Sequence, residues 1–349
     1  MYFRLLILLF AYSTYAQIPS YYSSIDFSQS NSDIKNQLAS LITATHVEDF
    51  PYTSNNTDTW DILKLSDEVL SSPVDVYLVY GSDDSNSIIV DDYTRAKSLS
   101  CHQSGCSGLW NREHVFARSL ANPPLVTDVE GSGTDVHNLK PCDGDMNSIR
   151  SNRVFEDSFG VASITQNGSW FPGDEWKGDV ARIVMYMYLR YNNQCLPNTI
   201  ANSNNTYNVD MPDIFLQWNV EDPVSPLEIQ RNNIIASFQG NRNPFIDNPY
   251  LASLIWGGPI AQDTWNTFST VDNFFSNITI VPTFADDSIS VSNADNLILY
   301  YYIYNISGRL VQLDSLENKV IDISNLSDGI YILAIHKNHK RKVFKFYKK

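Results

Sequence analysis

Apolar positions along the chain fall into two regimes, helical spacing over most of its length and short alternation near the C terminus. Residues Asp33 to Thr45 read as a helix, and the Val and Tyr alternation of Val74 to Tyr80, closed by Gly81, predicts a strand ending in a turn. From Trp176 to Asn192, Val180, Val184, Met187 and Tyr191 share one face, which predicts an amphipathic helix with Lys177 and Arg182 elsewhere on it. Asp210 to Gly240 continues mostly helical, with Glu228, Arg231, Asn232, Ile235 and Gln239 at helical spacing before Pro244 closes it. Beyond Trp256, Gly257-Gly258-Pro259 and an Asp/Asn/Ser/Thr-rich stretch lead into β-rich segments at Leu297 to Ile303, Gly308 to Gln312, Val320 to Ile323 and Gly329 to Ile335. The composition shift puts a boundary near 265 to 275. The expected fold class is α+β over residues 17–265, followed by a small C-terminal β-sandwich over 275–349.

Residues 1–16 place Arg4 before the apolar run Leu5 to Ala11 and end with Thr14 and Ala16 at small-residue cleavage positions. This reads as a cleaved secretory signal. The run is too short to span a bilayer, which takes about 20 residues, and no later apolar stretch reaches that length. Export makes disulfides the expectation for Cys101, Cys106, Cys142 and Cys195, with all three pairings open. Cys-His-Gln-Ser-Gly-Cys followed by two distant cysteines lacks the short ligand spacing of a zinc site.

Charge narrows the chemistry. Against 24 Lys and Arg the 349 residues carry 39 Asp and Glu, a net −15 whose field repels polyanions. His336 to Lys349 holds seven basic residues and no acid, so the other 335 residues carry −22. The segment 101–195 is milder, at −3. Nucleic-acid chemistry must therefore rest on a local site with a short phosphate footprint, and its activity should fall with added salt less steeply than that of a basic protein.

One segment holds the groups that phosphodiester hydrolysis needs, namely an activated water, a cation and donors to the phosphate. Trp110-Asn-Arg-Glu-His-Val-Phe116 sets His114 beside Glu113 and Arg112. Asp135-Val-His-Asn-Leu-Lys-Pro141 then leads into Gly144 to Asn152. A helix from Asp143 to Arg153 would put Asn147, Arg150 and Ser151 on a common face. Each has a bland alternative: His114 as a surface pair with Glu113, Asn147 as a surface amide, and Arg150 in a salt bridge with Asp145 or Glu156. His137 reads as structural, in a buried strand, tied to Asp135 or to a backbone carbonyl. Arg112, Arg118, Lys140, Arg153 and Lys177 read singly as solvated charges, and together as an offset to the acidic body.

W-N-R-E-H-V, D-V-H-N-L-K-P and M-N-S-I-R-S-N closely resemble the bacterial extracellular endonuclease I family, as do W-F-P-G-D-E-W-K-G-D-V-A-R at 170–182 and G-N-R-N-P-F-I-D at 240–247. The likeness covers roughly residues 50–256. It implies a ββα-metal (His-Me) finger core with surrounding helices, and a secreted, sequence-nonspecific nuclease. Such an enzyme cuts DNA, with RNA as a second substrate, leaves 5′-phosphate ends and uses one divalent cation per site. Mg²⁺ is the first choice, with Mn²⁺ and Ca²⁺ as alternatives.

In that family the His matching His114 is the general base, and a Glu before it and an Asn on the finger helix are metal ligands. Asn147 lies six residues after Pro141 and is preferred to Asn152 for that role. Glu113 meets a difficulty, because adjacent strand residues face opposite ways. Neutral His114 would deprotonate water, with Glu113 and Asn147 on the cation and Arg150 on the scissile phosphate. Arg112, Asn152 and Lys177 are the candidate substrate contacts. With an ordinary pKa near ~6.5, the base would be lost below about pH 6.

The C-terminal Y-Y-I-Y-N-I-S-G-R-L-V and I-D-I-S-N-L-S-D-G-I-Y-I-L resemble a type IX secretion sorting domain. That likeness implies the secretion machinery as a partner and assigns the basic tail to export, with extracellular delivery through the periplasm or retention at the cell surface. A monomer is expected. The rival readings are a catalytically silent binding or adhesion protein on the same scaffold, and an enzyme for small phosphodiesters.

Overall fold

The computed structural model describes residues 18–103, 105–266, 278–292, 299–316, 319–337 and 340–349, so the signal segment lies outside them. The chain divides into two compact units at Asn266/Thr267.

In the first unit, helices α1 (Asn31–Ala44), α2 (Thr59–Ser66), α3 (Gly144–Arg150), α4 (Lys177–Tyr191), α5 (Asp213–Glu221), α6 (Pro226–Gln239), α7 (Pro244–Asp247) and α8 (Tyr250–Trp256) surround small sheets. Strands β1 (Glu68–Val69), β2 (Ser72–Tyr77) and β3 (Thr94–Ala96) form one antiparallel sheet, and β6 (Ser163–Ile164) with β7 (Trp170–Phe171) form a short ribbon. The ribbon that matters for chemistry is β4 (Trp110–His114) paired antiparallel with β5 (Leu139–Asp143), in the register His114 opposite Leu139 and Trp110 opposite Asp143. Helix α3 follows β5 without a loop. Asp143 caps it, accepting from the Asp145 and Met146 amides at 2.8 and 2.9 Å, and is itself ion-paired with buried Arg95.

Local chemistry explains where the elements stop. Ser225 and Glu228 close a capping box at the start of α6, and Gly240, at φ 90°, ends it, so Pro244 opens α7 instead of closing the helix before it. Helix α3 is shorter than the expected Asp143 to Arg153, because Ser151 at φ 52° breaks it. The amphipathic reading of α4 is corrected. All twelve residues from Gly178 to Leu189 are buried, since α1, α5 and α7 all pack against it. Arg182 enters that core because Glu228 meets its Nε at 2.6 Å and its Nη2 at 2.8 Å. His137 sits in a 3₁₀ turn, Val136–Asn138, rather than a strand. It is buried there, with Nε2 3.3 Å from the Asn241 carbonyl.

Cys101 and Cys106 form a disulfide, whereas Cys142 and Cys195 are free and buried. The general expectation of disulfides thus holds for one pair only.

The second unit is all β among its described residues. One sheet has the order β13-β10-β8, made of Val320–Asp322, Ser288–Ser292 and Thr279–Val281. The other has the order β12-β11-β14-β15-β9, made of Leu310–Ser315, Tyr300–Asn305, Gly329–Lys337, Lys340–Lys348 and Phe284–Ala285. Inward positions such as Ile289, Val291, Ile303, Ile321, Leu333 and Phe346 build a core of its own.

Candidate active site

A cleft of about 540 Å³ opens where the end of β4 meets α3, lined by Arg112, Glu113, His114, Arg118, Asn147, Arg150, Asn152 and their neighbours. Glu113 and His114 both reach it because His114 is the last residue of the strand. The alternation that argued against Glu113 therefore does not apply at this strand end.

The His114 Nε2 lies 2.8 Å from the Gly133 carbonyl. A carbonyl only accepts, so Nε2 carries the proton and Nδ1 the lone pair. The ring stacks on Tyr52, with centroids 5.6 Å apart and planes at 27°. Burial, aided by Arg118, Arg112 and Arg150, pushes its pKa down to about 3, against the gain from the Gly133 bond. Burial thus favours the neutral imidazole, in the direction opposite to a partner carboxylate.

Glu113 is 3% exposed. Its Oε1 accepts from the Tyr80 hydroxyl and pairs with Arg150 Nη1, both at 3.0 Å. Burial nevertheless raises its pKa, the attraction of Arg150 notwithstanding. Asn147 donates from Nδ2 to Asn111 Oδ1 at 2.7 Å, which leaves its amide oxygen as the atom available to a cation.

The arginines divide into two kinds. Arg150, 1% exposed, gives Nη1 to the His114 carbonyl and Nη2 to the Val115 carbonyl, at 3.1 and 2.8 Å, besides pairing with Glu113. It lines the cleft from a buried position and braces the strand end. Its acidic partner is Glu113, not Asp145 or Glu156. Arg112 is clasped between the Tyr52 and Trp60 rings, 3.3 and 4.1 Å from their centroids, and donates to the Tyr52 carbonyl, to Thr59 Oγ1 and to Thr53 Oγ1. Arg118, read from sequence only as a solvated charge, is exposed in the cleft, with Nε on the Leu125 carbonyl at 2.8 Å. Three arginines against one carboxylate make the cleft lining locally cationic within an acidic molecule.

Asn152 is exposed at the rim and donates to Ser119 Oγ at 3.1 Å. Lys177 is not brought to this cleft; it pairs with Asp174 and Glu221 at 3.1 and 2.8 Å. The two carboxylates account for its charge. Nothing in the sequence signalled Arg118 over Lys177, because the difference lies in which acids fold against each. Among the described residues no cluster of three or more His, Cys, Asp or Glu could hold a metal.

The chain is similar to several named proteins. An extracellular ribonuclease of Bacillus subtilis (strain 168) is 33% identical over 254 residues, covering 69% of this chain and 80% of that protein. An extracellular ribonuclease of Bacillus amyloliquefaciens is 38% identical over 208 residues, 56% of this chain and 66% of that one. An extracellular deoxyribonuclease of Aeromonas hydrophila is 28% identical over 123 residues, 32% of this chain and 49% of that one. The Secretion system C-terminal sorting domain family matches residues 279–349, in the second unit. Residues 30–250, which include the whole cleft lining, match the Endonuclease I family, and the chain belongs to it.

Proposed function

We propose that this secreted protein is a metal-dependent nuclease that hydrolyses phosphodiester bonds of DNA and RNA to 5′-phosphate products, and that β4, β5 and α3 form a ββα-metal finger. The observation that carries the reading is His114: a neutral imidazole, proton-bearing at Nε2 on the Gly133 carbonyl, with its Nδ1 lone pair at a cationic cleft. Such a group accepts a proton from water without first losing one of its own. Membership of the Endonuclease I family supports the class of reaction, and the sorting domain supports delivery outside the cell.

The donor set fits a hard divalent cation. Glu113 and Asn147 offer oxygen ligands, and Mg²⁺ commonly keeps several waters and takes only one or two protein carboxylates. A buried carboxylate whose proton affinity stays raised beside one arginine also lacks compensating positive charge. When bound, the ion would neutralise charge developing on the phosphate and its leaving oxygen. The chain does the rest. Gly133 and Tyr52 orient the base, Arg150 holds Glu113 and the strand end, and Arg118 presents the exposed guanidinium to the phosphate.

The test is digestion of plasmid DNA and single-stranded RNA by wild-type protein and His114→Ala, each with Mg²⁺ and with EDTA. We expect His114→Ala to lose about 10²-fold or more while staying folded, and EDTA to abolish cleavage. Unchanged turnover in a folded His114→Ala protein overturns the mechanism. No cleavage by folded wild-type protein under several cations favours the silent binding protein.

A further inference from the structure

Beside the His114 cleft lies a second cavity, of about 240 Å³, lined by Tyr52, Trp60, the Cys101–Cys106 disulfide, His102, Gln103, Asn111 and Arg112. It is smaller than pockets for drug-sized ligands, which start near ~300 Å³. Arg112 belongs to both walls, and Asn111 joins the cavity to Asn147.

A column of stacked groups runs from one cavity to the other. His114 stacks on Tyr52, Tyr52 on the Arg112 guanidinium, Arg112 on Trp60, and Trp60 on His102 with ring centroids 4.3 Å apart at 31°. His102, the last ring of this column, is exposed. Trp60 Nε1 and Arg112 Nε are both buried N–H donors without a hydrogen-bond partner. Both atoms are closed to solvent, so what the cavity offers a ligand is the exposed His102 ring and the polar side chains of Gln103 and Asn111.

We propose that this cavity is a nucleobase subsite, in which an unpaired base next to the scissile phosphate stacks on His102 and presents its ring nitrogen or carbonyl acceptors toward the cavity wall. The inference rests on the nuclease reading and adds a preference, for unpaired over paired strands. Bases inside a duplex are already stacked and paired, so they do not reach the platform without being unstacked. Base–aromatic stacking tolerates every base, in keeping with cleavage without sequence preference.

The test compares wild type, His102→Ala and His102→Phe on a 5′-labelled single-stranded oligonucleotide and on the same sequence as a perfect duplex. His102→Ala should lower the single-strand to duplex ratio of kcat/KM about fivefold, the low end of base-stacking effects, and His102→Phe should restore it. A single strand carrying one abasic position beside the cut should lose the same factor in wild type and nothing further in His102→Ala. An unaltered ratio in His102→Ala overturns the subsite while leaving the nuclease reading intact. If no variant cleaves, the nuclease reading fails, and fluorescence anisotropy of the labelled strand in EDTA decides the subsite. Equal binding by wild type and His102→Ala would then reject it.

Discussion

At Arg150 one guanidinium serves the buried Glu113 carboxylate and three backbone carbonyls, those of His114 and Val115 at the strand end and of Ser151 beside it. Removing it strands the Glu113 charge in the core and frees the strand end that carries His114. Arg150→Gln should therefore cost about 3 kcal/mol in a urea unfolding experiment. A variant that melts like wild type and loses only activity would instead return Arg150 to the role of phosphate clamp. This separation was not legible in the sequence, where Arg150 stands in a polar helix with Asp145 and Glu156 in reach. The order of residues fixes what shares a helix face, but not that Glu113, 37 positions earlier, is buried beside it. His114 was legible because it stands in a dense motif. Its depressed pKa was not, since burial is a property of the packed loop around it.

The elements that position His114 are a strand end, a capped short helix and a loop. The loop is the most exacting of the three. A Cβ on Gly133 would fall 1.7 Å from the Val126 carbonyl oxygen, so only glycine lets this backbone pass and bring its own carbonyl to His114. Gly133→Ala should displace the loop and lower kcat about 10²-fold, with far-ultraviolet circular dichroism unchanged. Wild-type turnover would show that the carbonyl does not set the base. Helix α3 was legible in kind and longer than it is, because nothing in Ser151 announces a left-handed φ. Helix α4 showed a true 3.6 period, yet neighbours cover its polar face as well, and Arg182 with Glu228 makes that possible. The C-terminal strands were the easiest to read, since alternation alone assigns their buried side.

Over the whole molecule the acidic surplus and the cationic cleft lining coexist because folding gathers Arg112, Arg118 and Arg150 while carboxylates occupy Lys177 and other cations elsewhere. A second whole-molecule property is acid sensitivity. Burial pushes His114 to about 3 and His137 to about 4, below the ~6.5 of an unfolded histidine. Below that value the unfolded chain takes up protons that the folded protein refuses. Stability is therefore complete above pH 6.5 and falls as pH drops toward 4, by up to about 1.4 kcal/mol per pH unit for each histidine. Urea midpoints measured at pH 7, 5.5 and 4.5 should decrease in that order, and His137→Gln should flatten the trend. Constant midpoints would mean that both rings are protonated in the fold.

The Cys101–Cys106 bond closes the loop that carries His102, and Gly144 lets that loop sit close over the start of α3, where a Cβ would meet Cys106 Cβ at 2.4 Å. Cytosolic thiols are kept reduced, and the bond forms only in an oxidising compartment. The ring that would receive a base is thus unstapled while the chain is being made and is fixed only after export. The disulfide and the sorting domain therefore agree: the loop takes its closed form in the same oxidising surroundings to which the C-terminal unit directs the chain.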